Sequence, residues 1–162
     1  MSNFRICHDF DGGIADTPVA AIRYSGPKRT DTLFHLRKHN SVDEAIKELR
    51  KAPLSSGTTR TGEAIRYAVG EFREKYGARE NAKKMLIVFT DGYSQDDPSD
   101  AAREARSSGI EVKAVAVEDE DVPPDTEQII AITGDPKVFL YLTYLIISPC
   151  QTTIIYGKST IP

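Results

Sequence analysis

The stretch that most restricts the fold is MLIVFT at residues 85–90, followed at once by Asp91 and Gly92. Six residues without a charge suit a strand covered on both faces, and the Asp-Gly pair breaks it. Other strand-like apolar runs, some broken by a charge, recur at residues 19–24, 32–36, 110–117 and 138–142. Between them lie stretches with helical spacing. Residues 41–52 open with Ser41 and Glu44, three apart, which spells a capping box. Val42, Ala45, Ile46 and Leu49 then share a face. Residues 62–76 carry Ala64, Ile65, Ala68, Val69 and Phe72 on one stripe and end at Gly77. A third helix starts with Asp97 as cap and Pro98 at the first helical position, and ends at Gly109. A short fourth covers residues 125–133.

Strands separated by such helices predict parallel pairing through right-handed crossovers. The expected fold is therefore α/β, a doubly wound, mostly parallel sheet flanked by helices. Ligands of such sheets bind beyond the carboxyl ends of the strands, where Asp91 stands.

Composition narrows the function. The 162 residues fit one domain, and the net charge is −3. No cluster of Lys and Arg makes a basic stripe, so nucleic acid is excluded as a partner. No apolar run is long enough to span a bilayer, and no leader-like segment is visible, so the chain reads as soluble and without a signal peptide. Cys7 and Cys150 lie near opposite ends. They are either two unpaired thiols or a bridge between the termini, and their spacing favours the first.

Three segments in order carry a resemblance. They are SGTTRTG at residues 56–62, LIVFTDGYSQDD at 86–97 and AREARSSGIEVKAVAV at 102–117. Together they resemble the von Willebrand factor type A family, of the matrilin and collagen VI kind. The resemblance implies a non-enzymatic protein-binding or adhesion module from an extracellular-matrix-like protein. It implies an extracellular location and a matrix or cell-surface protein as partner. It also implies a Mg²⁺ site built from an Asp-x-Ser-x-Ser loop, a Thr and an Asp. Carried over by position, these are Asp11, Thr59 and Asp91. Gly13 and Ala15 stand where the two serines belong. The site is thus expected to be incomplete, with no cofactor required and at most weak Mg²⁺ or Mn²⁺ binding. Ser56, Thr58, Arg60, Tyr93 and Ser94 are the expected partner-binding residues.

The resemblance also sets boundaries. Residues 1–17 form a divergent N-terminal segment, 18–142 the domain, and 143–162 a divergent tail. Only a few residues separate Asp11 from Thr17, so the family's first helix is expected to be absent. FRICHDF at residues 4–10 is polar for a central strand. The tail is apolar, aromatic and β-branched, which suits a strand or an exposed, aggregation-prone end.

A competing reading uses DFDGGIADT at residues 9–17, which resembles the first motif of haloacid dehalogenase-like phosphatases. Asp9 would be the nucleophile and Asp11 the general acid/base of a Mg²⁺-dependent reaction. Thr90, Lys113, Gly134 and Asp135 would supply the later motifs. Gly13 replaces that family's threonine, and the match covers nine residues only. Set against these functions are plainer roles. Thr59 suits a helix cap near Gly62. Asp11 suits a turn, and Asp96, Asp97 and Asp100 suit the start of their own helix.

Overall fold

The computed structural model describes residues 18–53, 58–118, 123–136, 139–143 and 152–156. They form one six-stranded sheet with helices on both faces. The strands are β1 (Ala20–Ser25), β2 (Arg29–Phe34), β3 (Lys84–Thr90), β4 (Ile110–Glu118), β5 (Phe139–Thr143) and β6 (Thr152–Tyr156). The helices are α1 (Val42–Leu49), α2 (Thr61–Val69), α3 (Ser99–Ser107) and α4 (Thr126–Thr133). Among the described residues no helix is long and apolar enough to cross a membrane.

The order across the sheet is β2-β1-β6-β3-β4-β5. β3 pairs parallel with β4, and β4 with β5, as alternating strands and helices predict. The other three neighbours pair antiparallel. The expectation of a mostly parallel sheet is corrected to a mixed one. β1, β3, β4 and β5 share a direction, while β2 and β6 oppose it. β2 opposes it because only residues 26–28 join it to β1, and a connection that short can return the chain only antiparallel. β6 arises from residues set apart above as a tail. Its place in the centre of the sheet is a long-range pairing that no local pattern announces.

The core follows from the pleat. Leu86, Val88 and Thr90 of β3 are buried, while Met85, Ile87 and Phe89 are only partly covered. The strand therefore alternates in burial, although its sequence suggested equal cover on both faces. Leu86 and Val88 belong to the larger cluster with Ile22, Tyr24, Ile65, Ala102, Val112, Ile129 and Ile132, which gathers β1, β3 and β4 under α2, α3 and α4. On the opposite face Ala21 and Phe34 pack with Ala45 of α1.

Local chemistry places the helix ends. The Ser41 hydroxyl accepts from the Glu44 N–H at 3.3 Å, and Glu44 Oε2 accepts from the Asn40 N–H at 3.4 Å, one residue before the expected partner. The expected helix over 62–76 divides into α2 and a 3-10 turn, Glu74–Tyr76. The break turns Glu71 inward. Its carboxylate accepts from the Thr32 hydroxyl at 2.7 Å and pairs with His35 Nδ1 at 2.6 Å, and His35 stacks on Tyr76. These two partners satisfy a carboxylate that would otherwise be costly to bury. Gly77 closes the turn at φ +105, where a Cβ would lie 2.3 Å from Arg37 Cγ.

The segments expected at residues 1–17, including the absent first helix, lie outside the described residues, as do Cys7 and Cys150.

Leu86→Ala should lower unfolding free energy by about 2–5 kcal/mol, since it empties a fully covered position. Urea unfolding monitored by circular dichroism reads this directly. A loss under about 1 kcal/mol would show that Leu86 is not central to the core.

Candidate functional site

Because β1, β3 and β4 share a direction, their carboxyl ends meet at one edge of the sheet. Four loops gather there: the β1–β2 turn, residues 58–61, residues 91–98, and the approach to α4. Hydrogen bonds join them. Thr59 O accepts from the Gln95 N–H at 2.9 Å. Ser94 Oγ accepts from the Thr61 N–H at 2.8 Å and donates to Asp96 Oδ1 at 2.7 Å. The Ser94 N–H donates to Gln128 Oε1 of α4 at 2.9 Å. The Asp125 N–H donates to Asp91 O at 2.9 Å, and the Tyr93 hydroxyl donates to Pro123 O at 2.9 Å. Below them Tyr24 donates to Phe89 O at 3.4 Å and lies 3.5 Å from the Thr61 hydroxyl.

Asp96 is the centre of this edge. The Gly62 N–H donates to its Oδ1 at 3.0 Å, and the Glu63 N–H to its Oδ2 at 2.8 Å. These are exposed donors of the first turn of α2, and a carboxylate there also meets the positive end of the helix. Asp96 thus caps a helix that begins 35 residues earlier in the chain, not the helix that follows it. This corrects the sequence reading of Asp96, and it removes the capping role from Thr59. Asp97 does serve its own helix, accepting from the Ser99 N–H at 2.9 Å. Asp100 pairs with Arg103 on α3.

Burial pushes the Asp96 carboxyl up. Bonds from the Ser94 hydroxyl and from the Gly62 and Glu63 N–H groups outweigh it, so the group stays below the usual aspartate value. Gly62 is glycine for a steric reason. A Cβ there would lie 2.8 Å from Asp97 O and 2.9 Å from Asp96 Oδ2. Gly92, at φ +90, lets the chain turn over Asp125, whose carbonyl oxygen would be 2.5 Å from a Cβ.

The expected site residues fall as follows. Thr58, Thr59, Arg60, Asp91, Tyr93 and Ser94 all lie on this edge. Thr58, Asp91 and Tyr93 are exposed. Ser94 is spent on holding the loops together. Asp91 Oδ1 accepts from the Tyr93 N–H at 3.0 Å, closing an Asx turn. Asp9, Asp11 and Ser56 lie outside the described residues. Lys28 was missed by sequence reasoning. It stands exposed in the β1–β2 turn, and its N–H donates to Glu63 Oε1 at 3.2 Å. The Lys-Pro-Gly composition of that turn announced a turn but not its neighbours.

A divalent cation such as Mg²⁺ asks for an octahedron of oxygens. Thr59 and Asp91 provide two candidate donors here, and the nearby Asp96 carboxylate is committed to the α2 cap. Among the described residues no group of three or more His, Cys, Asp or Glu side chains could hold a metal. These residues by themselves do not fit a cation site. Among the described residues, Thr90 and Lys113 of the phosphatase reading are engaged elsewhere. The Thr90 hydroxyl accepts from the Gly92 N–H at 3.0 Å, and Lys113 pairs with Glu111 at 3.2 Å, well down β4 from the edge.

Residues 4–144 match the family model of the von Willebrand factor type A domain. The chain belongs to that family. It is 31% identical over 139 residues to the collagen alpha-1(XII) chain of Notophthalmus viridescens, covering 85% of this chain and 14% of that one. It is 39% identical over 124 residues to mouse matrilin-3, covering 73% of this chain and 25% of that one. The chain therefore spans a quarter or less of either relative. Among solved structures, proximal thread matrix protein 1 of the mussel byssus, with a zinc-occupied MIDAS motif, aligns with a TM-score of 0.66. It shares 20% identity, over 75% of this chain and 31% of that one, which is a likeness of fold. The type A resemblance read from residues 56–117 is thereby shown.

Asp96→Ala should cost about 0.5–2 kcal/mol, as loss of a cap does. Amide exchange at Gly62 and Glu63 should quicken more than exchange in β4. The pH dependence carries a sign. Because the folded pKa lies below the unfolded value of about 3.9, the cap stabilises above that pH and fades as pH falls through the folded value. The stability gap between wild type and Asp96→Asn should close on acidification from about pH 5 to pH 2. A gap constant with pH would refute the assignment.

Proposed function

We propose that the chain is a non-enzymatic recognition module of the adhesion kind, acting in the extracellular matrix and binding another protein through the carboxyl edge of its sheet. The observation that carries this reading is the interlocking of the edge loops through Ser94, Asp96 and Gln128. Such internal bonding leaves a pre-ordered surface, which lowers the entropy cost of association. Exposed Tyr93, with Lys28, Arg60 and Thr58 on the same edge, supplies the aromatic and basic groups that anchor protein interfaces. The matrix relatives support the location and the class of partner.

Binding by this edge has weak or no dependence on a metal ion. The family's usual ion would draw on Asp11, Thr59 and Asp91, with Gly13 and Ala15 in place of hydroxyl ligands. When bound, an ion would offer a coordination position to a partner's carboxylate. In its place, Lys28 and Arg60 can meet acidic groups directly. Residues 18–142 carry this recognition surface.

Thermal unfolding should have the same midpoint in chelator as with millimolar Mg²⁺, Mn²⁺ or Zn²⁺. An ion at about 100 times its Kd would stabilise by about 2.7 kcal/mol and would show plainly as a shift. Adhesion of the purified chain to immobilised fibrillar collagen, chosen as a matrix surface, should persist in chelator. It should fall at least about tenfold in Tyr93→Ala, the loss expected of an interface anchor. Adhesion abolished by chelator would sink the metal-independent reading.

A further inference from the structure

The edge strand β2, the β2–α1 loop and α1 border an open groove of about 730 Å³. Its apolar lining is Leu33, Ala52 and Pro53. Three lysines line it as well, Lys38, Lys47 and Lys51, and all three are exposed. Among the described residues none of them has an ion-pair partner. Lys47 and Lys51 are four apart. The Arg50 N–H donates to Ile46 O at 2.9 Å and the Lys51 N–H to Glu48 O at 3.0 Å, so the helical turn carries on and sets both on one side.

The groove also holds Glu44 and Glu48, and both turn to other partners. Glu48 Oε2 lies 2.5 Å from His39 Nε2, an ion-pair distance without hydrogen-bond alignment. Glu44 Oε2 lies 4.0 Å from His39 Nδ1 and accepts from the Asn40 N–H at 3.4 Å. His39 itself stands edge-on to Phe34, with ring centroids 4.8 Å apart. The lysines are left without a carboxylate of their own. Next to Lys38, Arg37 lies against Gly77 at the end of the 3-10 turn. Arg37, Arg73 and Lys75 are exposed there, with Glu74 as the acid of that turn. Scattered in the sequence, these cations follow one another along one flank of the fold.

We infer that this groove binds a sulfated polysaccharide, with sugar rings against Leu33, Ala52 and Pro53 and sulfates on Lys38, Lys47 and Lys51. Arg37 and Lys75 take the next charges along the polymer. A cleft lined by unpaired charge of one sign concentrates ligands of the other. A groove of this volume holds a ligand of a few rings. An apolar strip beside separate ammonium groups suits a ligand that alternates C–H faces with anionic substituents. It suits nucleic acid poorly, because bases need an open aromatic face. Phe34 is buried, and the Tyr76 ring already carries His35 and Lys75, each at 4.4 Å. This goes beyond the edge-loop recognition proposed above and uses a different surface.

The test titrates the full chain with a fluorescent heparin fragment in about 0.1 M salt, where surface charges are only partly screened. Replacing Lys38, Lys47 and Lys51 together by alanine should weaken binding at least about tenfold, the worth of a single charge-assisted contact. Removing Arg66, Arg103 and Lys113 instead takes away equal charge from cations already in ion pairs. That variant should stay within about threefold of wild type, since exposed pairs contribute little. In the wild type itself, the amides of Leu33, Lys38, Lys51 and Ala52 should shift on titration while those of Asp91 and Tyr93 stay in place. This reading needs no variant to fold. No binding, equal losses in the two triple variants, or shifts at the carboxyl edge in place of the groove would each overturn the inference. So would polyglutamate or single-stranded DNA binding as tightly as heparin, since the site would then be selecting charge alone.

Discussion

Every strand inside a sheet has to satisfy backbone groups on both of its edges, and this requirement shapes the molecule around the gap between β1 and β3. Both strands are needed in their places. β1 supplies Ile22 and Tyr24 to the larger core, and β3 supplies Leu86 and Val88. Two such strands one position apart would leave two rows of unpaired N–H and C=O groups in the middle of the domain. β6 meets that need. The packing of α2, α3 and α4 on the sheet, and the alignment of strand ends that creates the loop edge, depend on the gap being filled.

The same edge shows how polar residues divide between structure and recognition. Asp96, Ser94 and Gln128 are turned inward and hold the loops in register. The Arg23 guanidinium does similar work at the flank. It binds both oxygens of Asp31 across the hairpin, at 2.9 and 3.0 Å, and donates to Pro53 O at 2.6 Å. Tyr93 and Lys28 are tied to the same edge by single bonds to Pro123 and Glu63 and still stand exposed. Within residues 91–98, the Asp91 carboxylate closes a turn and the Asp96 carboxylate caps α2.

Much of this was legible from local pattern. β3, β4, α3 and α4 lie within a few residues of their expected places, and α2 starts at its own, because apolar runs and helical stripes report burial directly. Ser41 acts as the side-chain cap that its spacing suggested, since a cap and its donor sit within one turn. Thr59 and Asp91 were placed on the right edge. Their chemistry was less legible. Whether Asp96 serves α3 or α2 depends on a contact across 34 residues, and Glu71, just past the end of α2, meets Thr32 and His35 across 39 and 36.

The sequence by itself determined the α/β class, the family, the helix faces and the presence of a loop edge after MLIVFT. Each of these follows from residue spacing along a few turns or one strand. The tertiary structure alone decided that the sheet is mixed, that a segment near the far end of the chain fills its centre, and that Asp96 caps a distant helix. These are pairings between remote backbone and side-chain groups, and their free energy exists only once the chain has brought both partners together.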